Sequence, residues 1–260
     1  MAEWQRSPGF DLSNKKALVV GFANPSGESI AIALAEAGAD VATASATMNG
    51  DEVMAAKRAS KKIRELGRKT MSQGWDVTLP VNIQVGLKQI TKEFGCPDVV
   101  VYNADLALAK PLIKTSDSEF SKIHQVNLHG AFATARSYVR DLKDSKGKII
   151  FVSSIFGSRG ISNTAAYASA KAGVTGLTLA LSQELSPQIT VNCIASGWMN
   201  WTSGRGSDVL EENRLLRFIP ARRFGEPSEI RALVVLLASE ASNYITGQVF
   251  NIDGGVTTHL

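Results

Sequence analysis

Seven short runs rich in valine, isoleucine and alanine recur along the whole chain, and longer amphipathic segments separate them. The runs cover 17–21, 41–44, 70–75, 99–102, 149–153, 190–195 and 249–252. Most show little polar alternation, which is how a strand buried on both faces reads. The segments between them, 28–37, 51–66, 80–94, 116–143, 164–184 and 227–238, read as helices. Ser116 with Glu119 makes a capping box for the fourth, and Gly67 is a stop for the second. Such alternation through the whole length predicts an α/β fold with a seven-stranded parallel sheet, doubly wound, with helices on both faces. No linker, repeat or composition break interrupts residues 1–260, so one domain is expected, with 1–11 as an N-terminal extension. The least patterned stretch, 198–217, is expected to be a loop covering a substrate pocket.

Size and composition exclude several classes. A chain of 27.8 kDa can bury about 73% of its unfolded surface, enough for one core without disulfides or metal. No apolar run approaches the ~18 residues of a membrane helix, and the first residues lack the apolar centre of a signal peptide. Cys96 and Cys193 are the two cysteines, which suits a reducing, cytoplasmic setting with both thiols buried and inert. The net charge of +4 raises nucleic acid as a partner. The dense basic stretch, Lys57, Arg58, Lys61, Lys62, Arg64, Arg68 and Lys69, has the spacing of a wet helix face and no interleaved aromatics. The solvated-face reading is therefore favoured, with neither nucleic acid nor membrane as a partner.

In a doubly wound sheet a ligand sits beyond the carboxyl ends of the strands. The first such end reads Val20, Gly21, Phe22, Ala23, Asn24, Pro25, Ser26, Gly27. Gly21 suits a tight turn. Gly27 lets backbone approach a phosphate where the next helix offers free N–H groups and its positive dipole end. After the second strand an Asp or Glu would accept from a ribose 2′-OH and repel a 2′-phosphate. Here the chain has Ser45, Ala46 and Thr47, with no acid until Asp51, which favours NADP. No arginine lies in either loop, so NAD stays open. Asp76 and Val77, after the third strand, fit either an adenine edge or a helix-entry turn.

Tyr167 and Lys171 stand four apart in a helical segment and share a face. A phenol titrates near 10, and a nearby ammonium stabilises its anion, so the pair can give and take a proton. Any exposed helix pair has the same spacing, so the surroundings decide. Ser154 closes the fifth strand, where its hydroxyl can hold a carbonyl oxygen. Asn127 lies between Val126 and Leu128 inside a helical segment, and a buried amide is costly unless satisfied. His124 and His129 are five apart and share no helix face, which argues against a metal site.

With these residues in order the chain resembles the short-chain dehydrogenase/reductase family, in its 3-oxoacyl-carrier-protein reductase-like branch. The resemblance runs from about residue 12 to 256. It comprises the glycine-rich turn at 21–27, Asp76-Val77, Asn103-Ala104, Asn127, Ser154, Tyr167 with Lys171, and Ser196-Gly197. It closes with Arg223-Phe224-Gly225-Glu226-Pro227, Leu237-Ala238-Ser239, Tyr244 to Gln248, and Asp253-Gly254-Gly255. It implies a single Rossmann domain. Tyr167 would be general acid in reduction and base in oxidation, with Lys171 binding the nicotinamide ribose and lowering the Tyr167 pKa. Ser154 would polarise the substrate carbonyl and Asn127 anchor a water. Gly21, Ala23, Asn24, Ser26 and Gly27 would wrap the pyrophosphate and adenosine ribose. Ser45, Asp76 and Val77 would flank the adenosine, and Asn103, Ala104, Gly197 and Met199 the nicotinamide half. Trp198 and Trp201 would line the substrate pocket, although aromatics there equally well seal the loop onto the core or a partner subunit.

The expected activity is NADPH-dependent reduction of a carbonyl, or oxidation of the matching secondary alcohol. The expected assembly is a homotetramer whose subunits pair through helices near 116–143 and 164–184. An NAD-dependent dehydrogenase of a sugar, polyol or steroid-like alcohol is the alternative. A catalytically silent nucleotide-binding regulator is another, and the intact Asn127, Ser154, Tyr167 and Lys171 set argues against it. The chain departs from the family pattern at Pro25 and Asn24, at Asp105 where the family has glycine, at Ser196, and at Trp201 where it has threonine. About five extra residues follow the second strand, around 47–52.

Overall fold

A computed structural model describes residues 8–144, 146–202 and 209–258. Its strands are β1 (Lys16–Val20), β2 (Asp40–Ala44), β3 (Thr70–Gln73), β4 (Val99–Tyr102), β5 (Lys148–Ser154), β6 (Thr190–Ser196) and β7 (Val249–Ile252). They form one parallel sheet in the order β3-β2-β1-β4-β5-β6-β7, as the alternation predicts. The helices are α1 (Pro25–Glu36), α2 (Gly50–Glu65), α3 (Pro80–Glu93), α4 (Asp117–His124), α5 (Gly130–Asp144), α6 (Ala165–Leu185), α7 (Val209–Phe218) and α8 (Arg231–Ala238).

Period-two alternation sorts each strand's side chains onto two faces. Leu18, Val20, Val100, Tyr102, Ile149 and Phe151 join Ile83 and Ile90 of α3 and Ala131 and Tyr138 of α5 on one side. Ala17, Val19, Val99, Val101, Ile150 and Val152 join Ile30 and Leu34 of α1, Ile63 of α2 and Val234 of α8 on the other. Both faces are dry, which is why the strands carry no polar alternation.

Several local expectations are met in detail. Ser116 and Glu119 form the reciprocal capping box at α4. Asn49 caps α2, which ends at Glu65 just before Gly67. The basic residues lie on the exposed side of α2, where Lys61 pairs with Glu65 and Lys62 with Glu28; Arg68, beyond the helix, pairs with Asp40. The expected helix 116–143 is instead three pieces, because a π-helical turn at Gln125–His129 separates α4 from α5. Part of the expected loop 198–217 is helical, as α7, while 203–208 and most of the extension 1–11 lie outside the described residues. Cys193 is buried, but Cys96 is only partly so, because it sits in the turn between α3 and β4. Among the described residues no helix is long and apolar enough to cross a membrane.

Lys148, at the start of β5, is only 6% exposed. Its ammonium donates to Ser242 Oγ at 3.2 Å and Asn243 Oδ1 at 2.8 Å. Burial lowers its pKa to about 8, whereas an unfolded lysine titrates near about 10.4. Between these values the unfolded chain holds the proton and the folded chain does not, so stability rises with pH across that window. Urea unfolding from pH 7.5 to 10 should show wild type gaining stability relative to Lys148→Met; parallel curves for the two proteins would contradict it.

Candidate active site

β1 and β4 are neighbours, yet β1 leads outward to β2 and β4 outward to β5. Their following segments diverge and leave a crevice at the strand ends. A cavity of about 860 Å³ opens there, lined on its inner side by Phe22, Ala23 and Asn24 and on its outer side by Thr47, Asn49 and Arg58. A second cavity of about 300 Å³ shares Ala23, Asn24, Asp105 and Leu106 with it and ends at Ser154, Tyr167, Lys171 and Trp201. Together they make one long cleft along the carboxyl edge of the sheet.

The turn after β1 is held by short-range geometry. Gly21 has φ +103°, and a Cβ there would collide with the backbone of Ala104. A Cβ on Gly27 would strike Gly21 O, so this glycine serves the packing of α1 onto the turn rather than the approach of a ligand. Pro25 begins α1, where its fixed φ and missing N–H cost nothing. Asn24 is the N-cap and accepts from Ser26 N at 3.0 Å. Asn103 is buried; it donates to Gly21 O at 3.0 Å and accepts from Ser26 Oγ at 2.9 Å, tying the end of β4 to the turn.

Glu52 is the organising acid of the adenosine end, and the sequence reading missed it. It is 3% exposed. Its carboxylate accepts from Phe22 N at 3.0 Å, Ala46 N at 2.8 Å, Thr47 N at 3.0 Å and Thr47 Oγ1 at 2.6 Å. The longer excursion after β2 lets α2 carry this carboxylate back over the ends of β1 and β2. Arg58, two turns along α2, reaches the same cleft from a helix rather than a loop. Residues 51, 55 and 58 share that face of α2, a helical spacing visible in the chain once α2 is placed.

Three assigned positions need correction. Ser45 is fully buried and bonded both ways to Trp75, accepting from its N at 3.0 Å and donating to its O at 3.3 Å, so its hydroxyl belongs to the core. Asp76 accepts from Thr78 N at 2.9 Å and Thr78 Oγ1 at 2.6 Å, which makes it a turn residue; it and buried Val77 stand outside the cleft lining. Trp198 and Met199 point away from the cleft. Trp198 packs edge-on against Phe156 at 5.4 Å behind Tyr167, and Met199 bridges to Gly225. Trp201 and Gly197 do line the inner cavity.

The chemical end gathers the predicted residues. Tyr167 and Lys171 project from one face of α6, with the Lys171 ammonium 5.4 Å from the phenol ring centre. Lys171 is 2% exposed and donates to Ala104 O at 3.3 Å and Val152 O at 3.4 Å. Ser154 Oγ accepts from Phe156 N and donates to Ser196 O, each at 3.3 Å, and lies within hydrogen-bonding reach of the Tyr167 phenol. Asn127, in the π-helical turn, brackets Leu106, donating to its O at 2.8 Å and accepting from its N at 2.9 Å. The amide that looked costly is therefore satisfied by the loop after β4.

Asp105 changes the electrostatics expected of the pair. Its Oδ1 lies 3.0 Å from Lys171 Nζ and accepts from Tyr167 Oη at 2.8 Å, and its Oδ2 accepts from Asn24 Nδ2 at 3.3 Å. Burial pushes the Asp105 carboxyl up, but the Lys171 charge and these hydrogen bonds outweigh it and hold the group below its usual value. Tyr167 moves opposite to the expectation: burial first, then the Asp105 charge and hydrogen bond, raise it well above the ordinary phenol value.

The donor set fits a dinucleotide. The cleft is long, it crosses the N-terminus of α1, and it carries hydroxyl, amide and guanidinium donors at its outer end. Ala23, Asn24, Thr47, Asn49 and Arg58 would border its adenosine and phosphate half, and Asn103, Ala104, Tyr167 and Lys171 its nicotinamide half. No cluster of metal-ligating side chains stands among the described residues.

Comparison with known proteins agrees with this geometry. The family model described as enoyl-(acyl carrier protein) reductase matches residues 21–257. The 3-oxoacyl-(acyl-carrier-protein) reductase FabG of Vibrio cholerae is 34% identical over 248 residues, covering 95% of this chain and 98% of that one. A short-chain type dehydrogenase/reductase from Mycobacterium marinum superposes with a TM-score of 0.86 at 34% identity, over 96% of this chain and 98% of the other. A gluconate 5-dehydrogenase from Burkholderia cenocepacia, solved with NADP and tartrate, gives 0.88 at 26% identity, over 97% and 98%.

Removing the Glu52 carboxylate would orphan buried N–H groups at the ends of two strands, at a cost of about 1–3 kcal/mol. Glu52→Ala should lose that much in urea unfolding and Glu52→Gln a smaller part; wild-type stability for both would show that the carboxylate is dispensable.

Proposed function

The chain belongs to the short-chain dehydrogenase/reductase family and is an oxidoreductase, and from that premise we propose that it reduces a carbonyl with NADPH, Tyr167 giving the proton. The observation that carries this reading is the inner end of the cleft. There a phenol, a hydroxyl and a buried ammonium converge: Tyr167, Ser154 and Lys171. When bound, a reduced nicotinamide supplies the hydride, and the protein supplies position and proton. Ser154 Oγ sits beside the phenol and orients the carbonyl oxygen toward Tyr167 Oη. Lys171, held by two backbone carbonyls, keeps its charge beneath the reacting oxygen. Asn127 holds the loop that bears Leu106 and so shapes the cleft floor. Trp201 forms part of the inner wall.

The 3-oxoacyl reductase likeness supports a 3-oxoacyl-type substrate. The gluconate 5-dehydrogenase likeness supports a second class, an oxo or hydroxy sugar acid. NADP is supported at the outer cleft by Arg58 with Thr47 and Asn49, a guanidinium and two neutral polar groups that suit a 2′-phosphate. Glu52, whose oxygens are spent on four donors, leaves the ribose unread by an acid.

The same reading includes self-assembly in a cytoplasmic setting. A shallow apolar face of Leu128, Phe132, Gly173, Leu177 and Ala180, flanked by His124, joins the α4–α5 region to α6 and suits a second copy, as in a homotetramer. Two free thiols suit a reducing compartment; burial pushes Cys193 up to about 11.

Tyr167→Phe should lower kcat for NADPH-dependent ketone reduction by about 10²–10⁴-fold while leaving NADPH binding, read by tryptophan energy transfer, close to wild type. Unchanged turnover would remove the catalytic reading of this residue. Arg58→Ala should weaken NADPH binding about tenfold and leave NADH unaffected, losing one charge-assisted contact; equal losses for both cofactors would place the 2′-phosphate elsewhere.

A further inference from the structure

Asp105 takes no step in the reaction above, yet it touches both halves of the proton-handling pair. Lys171 Nζ and Tyr167 Oη converge on its Oδ1 at 3.0 and 2.8 Å, while Asn24 fixes its Oδ2. The contact is built from three separate parts of the chain: the loop after β4, the face of α6 and the cap of α1. Its side chain is 23% exposed, at the point where the inner and outer cavities meet.

The groups facing this cluster are few. From α6 come Lys171 and Tyr167, and from the loop after β4 comes Asp105 itself. From β6, Cys193 feels the Lys171 charge and keeps its proton. Asn24 from the α1 cap and Ser154 from β5 are neutral. Beyond Asp105, the outer cavity is bordered by Glu28, Asp51 and Glu52 and by Arg58 and Arg231.

An ammonium beside a phenol lowers its proton affinity. A carboxylate bonded to both reverses that effect. It cancels the ammonium charge, it accepts the phenol's hydrogen, and it would face a second anion at 2.8 Å if the phenol ionised. We propose that Asp105 is a positioning residue that holds the proton on Tyr167 and so fits this site to donate to a carbonyl oxygen across the neutral and mildly alkaline range. The balance of the donation is simple. The carbonyl π pair moves onto oxygen as the carbon gains the hydride, the Tyr167 O–H bond breaks toward that oxygen, and the phenolate left beside Asp105 reclaims a proton from water in the cleft. The raised proton affinity drives that last step. The direction of the shifts at Asp105 and Tyr167 agrees with the geometry. The proposal rests on the carbonyl-reduction reading for its catalytic consequence, but the state of the phenol is measurable without any substrate.

The test is a near-ultraviolet phenolate titration of the cofactor-free protein. A Tyr167→Phe titration is subtracted to isolate this phenol among the four tyrosines. Wild type should show no Tyr167 ionisation below about pH 10. Asp105→Asn and Asp105→Gly should bring its midpoint down by at least about one pH unit, tenfold in proton affinity. The alkaline limb of kcat for ketone reduction should move down with it. Asn keeps the size and an oxygen acceptor, so a purely structural role predicts a wild-type titration for that variant. Circular dichroism establishes that each variant is folded, and if the Gly variant is not, the Asn variant decides. A Tyr167 midpoint that is the same in the folded variants as in wild type, or higher, overturns the proposal. If the phenol shifts as expected but no ketone is reduced, the functional reading fails and the electrostatic one stands.

Discussion

The parting of β1 and β4 is the constraint on which the site depends. The two strands share a ladder, Ala17 to Val20 against Val99 to Tyr102, but their continuations run to opposite edges of the sheet. No helix can cover both ends at once, so polar backbone is left at the carboxyl edge. This chain meets that demand with side chains of its own. Asn103 and Ser26 tie β4 to the first turn, and Asn127 ties the loop after β4 to the helical layer. The rigidity of the cleft comes from amides and hydroxyls recruited across long sequence separations.

Two carboxylates then divide the cleft between them. Glu52 gathers N–H groups from the ends of β1 and β2, and Asp105 gathers an ammonium, a phenol and an amide at the other end. Both occupy positions where burial alone would favour the neutral acid. For Asp105 the donors overcome burial, and the anion then works on its neighbours. Charge is thus placed by hydrogen bonding first and shapes the chemistry second.

The fold was legible because it is written in period and punctuation. Buried strands such as Val99–Tyr102 have no polar residues to confuse them with turns, and the glycines and caps mark the helix ends. The Tyr167–Lys171 face was legible because a helix fixes four-residue neighbours. What escaped reading depends on tertiary return. Glu52 and Arg58 come back to the cleft only because α2 turns over the strand ends. Ser45 looked like a ligand donor until Trp75 claimed its hydroxyl. Trp198 could face either way in the sequence, and the ring of Phe156 settled it. The sign of the Tyr167 shift was hidden for the same reason: Asp105 is far from α6 in sequence and 2.8 Å from it in space.

The π-helical turn at Gln125–His129 carries an evolutionary corollary. A turn of this kind holds one residue more than an α-helical turn, the mark of a single-residue insertion absorbed without breaking the rod. Each α-helical residue rotates the chain by about 100°. Removing one residue here would straighten the rod and swing either Asn127 or the whole of α5 out of phase with the sheet. The α4–α5 segment is therefore a place where substitutions can accumulate but the reading length cannot change, and lineages carrying this site would be expected to keep that count even as their surface residues drift.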